Sequence, residues 1–230
     1  ELKIPFTTGI LVGVGENPDE RTASLAKIAE LHSRFGHIQE VILQNYVAHP
    51  RYYDQDVAEI ADESARLRWS GKLDEREDFK AAARPEWADE VSIDEMIELV
   101  KQCRELMPGV GIQVPPNLAD WWPELVEAGA TDLGGLSANG DHISPEEAFP
   151  SPREVRAALA PRGFAVAERL CAYSEYLDPN WIEQGVLDLV KSRYWSFIPR
   201  GSSGRGGVAP ELDPGLVFEA IEKGEAGEPL

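Results

Sequence analysis

Thiols and long apolar runs are both scarce in this chain. Two cysteines, Cys103 and Cys171, stand far apart in 230 residues. They make neither a disulfide framework nor a zinc-ligand spacing, and they fit a reducing cytoplasm. No run of about 18 apolar residues occurs, which excludes a membrane-spanning helix. No signal peptide is visible either: Glu1 leads straight into Leu2-Lys3-Ile4-Pro5, with no initiator Met, so a piece of a longer cytoplasmic chain is expected. Lysine is sparse, 7 against 15 arginines, and the net charge is −19. Such a surface repels nucleic acid and anionic lipid, so neither is an expected partner. An acidic, lysine-poor surface on an ordinary core also predicts a salt-loving source, where screening relieves the self-repulsion. The four histidines, His32, His37, His49 and His142, lack ligand spacing. No Ser/His/Asp or Cys/His constellation is visible, and no metal site is expected in the chain itself.

What is present is an alternation of strand-like and helix-like segments. Residues 5–15 read as a buried strand, 18–35 as a helix, 37–46 as a strand, 93–107 as a helix and 110–114 as a short strand. Residues 119–128 read as a helix, 131–137 as a strand ending in glycines, 152–160 as a helix, 163–170 as a final strand and 180–192 as a last helix. Asn17, Pro18 and Glu20 form a capping-box start for the first helix, whose expected apolar face is Ala23, Ile28, Leu31 and Phe35. Cys103 falls in a helical run as a small core residue. Strand–helix alternation predicts an α/β fold with a parallel sheet, right-handed crossovers and outer helices. The units are too few for an eight-fold barrel but suit the C-terminal portion of a TIM-like one. Three regions follow. Residues 1–175 are the barrel part, interrupted by an acidic insertion or lid over 47–90. Residues 176–200 are a helical extension, and 201–230 form a flexible glycine-rich tail.

The densest chemical signal lies at the end of the first strand, Gly13-Val14-Gly15-Glu16. It has neither the Gly-Lys-Ser/Thr of a phosphate-binding P-loop nor the third glycine of a dinucleotide fingerprint. Glu16 would repel a pyrophosphate at the helix start, so a neutral or cationic ligand, such as an adenosine carrying a sulfonium, fits Gly13, Gly15 and Glu16 better. A tight strand-to-helix turn with no ligand is the alternative. The other strand ends offer Gln44, Asn45 and Tyr46; Gln113 and Asn117; and Ser137, Asn139 and Asp141. Amides and hydroxyls orient a polyhydroxylated or heterocyclic small molecule but make poor acids, bases or nucleophiles. The pattern points to a site that positions substrate while a cofactor supplies the chemistry, and no catalytic residue is assigned.

Four blocks in order carry a family resemblance: residues 4–16 (Ile-Pro-Phe-Thr-Thr-Gly-Ile-Leu-Val-Gly-Val-Gly-Glu), 31–45, Ile112-Gln113-Val114-Pro115-Pro116-Asn117-Leu118, and Asp132-Leu133-Gly134-Gly135-Leu136-Ser137. Together they resemble the deazaflavin-forming radical SAM enzymes, and more narrowly the CofG subunit of FO synthase. The first block matches the Gly-x-Ile-x-Gly-x-x-Glu motif of radical SAM barrels, with Leu11 in the Ile place. The resemblance implies a partial (β/α)6 barrel, a 4Fe–4S cluster and S-adenosylmethionine. It implies formation of the 7,8-didemethyl-8-hydroxy-5-deazariboflavin chromophore from a tyrosine–ribitylaminopyrimidine adduct made by a partner synthase subunit, with release of ammonia. By motif match Gly13 and Glu16 lie near the adenosine; Gln44, Asn45, Gln113, Asn117 and Ser137 are assigned to the substrate. Two departures stand out. The family's Cys-x3-Cys-x2-Cys loop is absent, so the cluster ligands lie outside this chain, which is not expected to cleave S-adenosylmethionine without the N-terminal half of its barrel. The 47–90 stretch replaces a shorter family segment. A sister radical SAM reaction on an aromatic or pyrimidine substrate, and a non-catalytic half-barrel binding module, are the other readings.

Overall fold

The computed structural model describes residues 3–47, 87–88, 91–134, 136 and 148–194. The expected insertion over 47–90 falls almost wholly outside these residues, as do Ser137, Asn139, Asp141 and the 201–230 tail. Strand β1 spans Phe6–Val12, followed by helix α1 (Pro18–Phe35) and strand β2 (Ile38–Asn45). Helix α2 (Ile93–Leu106), strand β3 (Gly111–Gln113) and helix α3 (Trp122–Ala128) come next, then α4 (Pro152–Leu159) and α5 (Gln184–Arg193).

Local chemistry accounts for the helix ends. Asn17 accepts from the Glu20 amide while the Glu20 carboxylate reaches back to the Asn17 amide, and Pro18 occupies the first turn. Ser92 with Glu95, and Ser151 with Glu154, repeat the reciprocal box at α2 and α4. The buried face of α1 agrees with the expected one only at Ile28, which packs against the core, while Ala23 is exposed. Arg21 and Leu25 are buried, whereas Leu31 and Phe35 are 37% and 50% exposed. A charged residue on the inward stripe hides the true period, because Arg21 is buried by ion pairing and not by apolar contact.

The three strands are parallel and ordered β1-β2-β3, with Val12 opposite Asn45 and Ile42 opposite Gln113. A single parallel bridge from Gln113 to Asp132 extends the order by one step. Each connection carries a helix. Leu25 of α1 and Met96, Leu99, Val100 and Cys103 of α2 share one core with Val12, Val41, Leu43 and Ile112. Strand order following chain order, with helices packed on one face, is the arrangement of a TIM-like arc; a doubly wound sheet reverses order and covers both faces. The described strands are thus α/β and compatible with a partial TIM-like fold. On the other face alternate β2 residues present Glu40, Ile42 and Gln44.

The expected strand over 163–170 does not form. After α4 a single 3₁₀ turn (Ala160–Arg162) ends at Gly163, and the chain runs on without strand pairing to a second 3₁₀ turn at Ser174–Tyr176. This strap crosses the lower half of the sheet and is anchored by side chains. Gln39 donates to the Cys171 carbonyl and accepts from the Tyr173 amide, and the Tyr176 hydroxyl donates to the carbonyls of Gly36 and Ile38. Apolar residues at 164, 166 and 170 imitate a strand, but the strap's backbone is held by β2 side chains. Among the described residues of the expected strand over 131–137, Asp132 pairs with Gln113 as a single bridge.

Gly111 makes the strap possible, since a Cβ there would overlap the Tyr173 hydroxyl and ring. Gly111→Ala is therefore expected to lower stability by about 1–3 kcal/mol, the usual cost of overpacking, in urea denaturation followed by circular dichroism. An unchanged midpoint would contradict the docked strap.

Candidate functional site

Two polar assemblies occupy this sheet, one at the carboxyl ends of the strands and one below it. At the upper rim β1 ends at Val12 and the chain turns through Gly13 and Gly15, at φ 94° and 95°. Only glycine adopts this backbone without strain. The Glu16 carboxylate folds back over the turn, accepting from the amides of Gly13 (2.8 Å) and Val14 (2.7 Å). It also pairs with Arg21 at 2.6 Å, and Arg21 reaches Glu95 on α2 at 2.8 Å. Burial alone would raise the Glu16 pKa, but these donors together hold it below the usual carboxylate range. Glu95 is also lowered, by the Ser92 amide and by Arg21.

The remaining tips close on this turn. The Tyr46 amide donates to the Val12 carbonyl at 2.7 Å. The Asn45 amide nitrogen lies 3.5 Å from the Leu118 carbonyl in the loop after β3, which also holds buried Asn117. Gly13, Gly15, Glu16, Gln44, Asn45 and Asn117 thus belong to one rim. Gln44 is exposed on the face opposite the helices. Asn45 has the parity of Val41 and Leu43 and is buried, tying β2 to the neighbouring loop. Gln113 sits one pleat lower, paired with Ile42. Ser137 lies outside the described residues.

The second assembly was not legible as a site in the sequence. Arg169 of the strap donates to Glu40 at 2.7 Å and to Asp132 at 2.6 Å. Its guanidinium lies 4.0 Å over the Tyr173 ring. The Tyr173 hydroxyl donates to Asp132 and to Glu40, and Thr7 donates to Glu40. With its amide turned so that nitrogen faces the carboxylate, Gln113 lies 3.2 and 3.3 Å from the two Glu40 oxygens. Burial and the neighbouring Asp132 raise the Glu40 pKa against the pull of Arg169, and burial pushes the Tyr173 hydroxyl far up. One signal was available: Glu40 is a carboxylate inside an apolar strand, four residues from Gln44 and so on its face. Its cation, Arg169, and the Tyr173 hydroxyl come from 129 and 133 positions away.

The rim and the network beneath it sit in a chain with clear relatives. It is 37% identical over 194 residues to the 7,8-didemethyl-8-hydroxy-5-deazariboflavin synthase of Methanococcoides burtonii, covering 84% of this chain and 48% of the relative. The proteins of that name from Methanothermobacter thermautotrophicus and Archaeoglobus fulgidus are 33% and 36% identical, covering 86% and 83% of this chain and 51% and 50% of theirs. This chain is a relative of the 7,8-didemethyl-8-hydroxy-5-deazariboflavin synthases. It spans about half the length of the curated relatives it matches. No protein-family model matches the chain. No solved structure matches it either. No helix among the described residues is long and apolar enough to cross a membrane.

Two predictions follow from the ion pairs of this synthase relative. Glu16 and Glu95 titrate below their ordinary value of 4.5 in the fold, so they add stability above that pH and lose it as pH falls through their lower folded values. Glu16→Gln is expected to cost about 1.5 kcal/mol at pH 7 and to flatten the loss of stability as pH falls below the ordinary Glu16 value of 4.5, measured by urea denaturation. Parallel profiles for both proteins would refute the brace. Arg169→Ala leaves two carboxylates facing each other and is expected to cost about 3 kcal/mol. Arg169→Lys keeps the charge but cannot reach both carboxylates in the same fork, and thermal melting should place it between the two.

Proposed function

We propose that this chain is the substrate-facing part of a radical S-adenosylmethionine enzyme that forms the 7,8-didemethyl-8-hydroxy-5-deazariboflavin chromophore from a tyrosine–ribitylaminopyrimidine adduct, releasing ammonia as a carbon–nitrogen lyase does. The observation that carries the reading is the gathering of the β1, β2 and β3 tips at one rim, in a chain whose relatives bear the synthase name. Exposed Gln44 and the Asn45 and Asn117 tips supply hydrogen-bonding groups for a ribityl chain and a pyrimidine edge. Gln113, and Ser137 by its place in the motif, complete the proposed substrate set.

The bare backbone at Gly13 and Gly15, with the negative Glu16 beneath it, suits a nucleoside carrying a sulfonium better than a phosphate. S-adenosylmethionine, when bound there, supplies the adenosyl group for hydrogen abstraction. An iron–sulfur cluster does not fit the chain's own thiols. Three clustered thiolates are required. Cys103 is fully buried in the core with its thiol pushed up to about 11 by desolvation, and Cys171 is exposed on the strap. Among the described residues no group of three or more His, Cys, Asp or Glu is placed to hold a metal. In this reading the cluster ligands and the first half of the barrel come from outside the chain, and a partner synthase subunit makes the adduct in the cytoplasm.

The test is to read the coding sequence upstream for a Cys-x3-Cys-x2-Cys loop and to reconstitute the protein containing it with iron and sulfide under anaerobic conditions. Incubation with S-adenosylmethionine, a reductant and the adduct is expected to yield 5′-deoxyadenosine, ammonia and deazaflavin fluorescence. Gln44→Ala should raise KM for the adduct by about tenfold while sparing cofactor binding, the usual loss on removing a hydrogen bond to substrate. A cluster-loaded protein that makes no deazaflavin would overturn the proposal.

A further inference from the structure

An aromatic pair, Tyr46 and Trp87, stands on the same rim. Trp87 packs its backbone against the glycine turn: a Cβ at position 15 would lie 2.9 Å from the Trp87 carbonyl oxygen. Its ring meets Tyr46, the residue after β2, with centroids 5.4 Å apart and planes at 48°. The two rings are therefore tilted and do not cover each other's faces. Trp87 stays 53% exposed, although the adjoining Ala88 is buried. Leu11 on β1 and Val14 in the turn are also exposed at this end of the sheet, at 42% and 37%. Large apolar side chains exposed together beside polar groups mark a place where something flat and partly apolar is bound.

The neighbouring groups narrow the ligand. The two amides that could have cradled a phosphate, those of Gly13 and Val14, are already taken by the Glu16 carboxylate. Arg21, the cation of the turn, is buried between Glu16 and Glu95. An anionic group at this spot would meet a carboxylate with no spare cation of the turn to offset it. A neutral planar ring meets an indole face, and Gln44, exposed near the end of β2, can address its polar edge.

We infer that Trp87 and Tyr46 form a stacking platform at the strand tips for an uncharged planar nitrogen heterocycle. The inference deepens the functional reading, and rests on it for the choice between two sources of such a ring: the adenine of a nucleoside cofactor or the pyrimidine of the substrate. Gly15 serves the platform as much as the turn, because any side chain there would push Trp87 off the rim.

The test measures binding by titration calorimetry on the whole protein, with S-adenosylhomocysteine and a ribitylaminouracil as separate probes. Trp87→Ala is expected to weaken one of the two by about tenfold, the scale of losing one aromatic stacking face, and Trp87→Phe by about threefold or less. Circular dichroism and melting temperature should stay unchanged in both variants, since the ring is half exposed. Loss confined to S-adenosylhomocysteine assigns the platform to the cofactor, and loss confined to the ribitylaminouracil assigns it to substrate; either result supports the proposal. Wild-type affinity for both probes in Trp87→Ala would overturn the platform while leaving the synthase reading intact. Failure of the wild-type protein to bind either probe would overturn both.

Discussion

One guanidinium governs the lower half of this sheet. Arg169 bridges Glu40 on β2 and Asp132, which pairs beyond β3, so it spans two strand spacings, about 9.6 Å on a flat sheet. Each carboxylate is largely buried, and a buried charge left unpaired is costly. Both meet one cation because their side chains converge on it across the face opposite the helices. Gly111, lying between them, has no side chain to hold Tyr173 away from the pair. The strap that brings Arg169 is itself fixed by Gln39 and Tyr176 to the start of β2. Pairing of the buried carboxylates and docking of the strap are therefore linked through the same segment.

The rim depends on a second buried arginine. Arg21 ties the turn after β1 to the first turn of α2 through Glu16 and Glu95, so the bare backbone at Gly13 and Gly15 is held in place by a pair of carboxylates and not by apolar contact. Helix-side packing of Val12, Val41 and Leu43 against α1 and α2 sets the register. The amide of Tyr46 and the side chain of Asn45 then stitch neighbouring tips together. Strand ends on a packed scaffold are where binding groups are commonly placed in parallel α/β folds.

Helices are legible where their chemistry is local. Asn17, Ser92 and Ser151 with their partners three residues on announce the starts of α1, α2 and α4, because a capping box needs no tertiary contact. The strand tips were readable for a similar reason: glycines and amides ending an apolar run mark a change of backbone direction. Where a residue's role depends on a distant partner, the reading failed. Arg21 lies outside the apolar face expected of α1, and Arg169 falls in the expected strand over 163–170. Glu40 looked like an ordinary strand residue, since its cation arrives from 129 positions away.

By itself, then, the chain determined its alternation of parallel strands and helices, its helix starts and the chemical character of the strand ends, all of which follow from short-range backbone preferences and hydrophobic period. Tertiary structure alone decided which charges are buried, which face of α1 turns inward and that residues 163–173 become a strap and not a strand. Those outcomes hang on the pairing of Arg21 with Glu95 and of Arg169 with Glu40 and Asp132, far along the chain, and burial of a charge is settled by its partner, which no local pattern reveals.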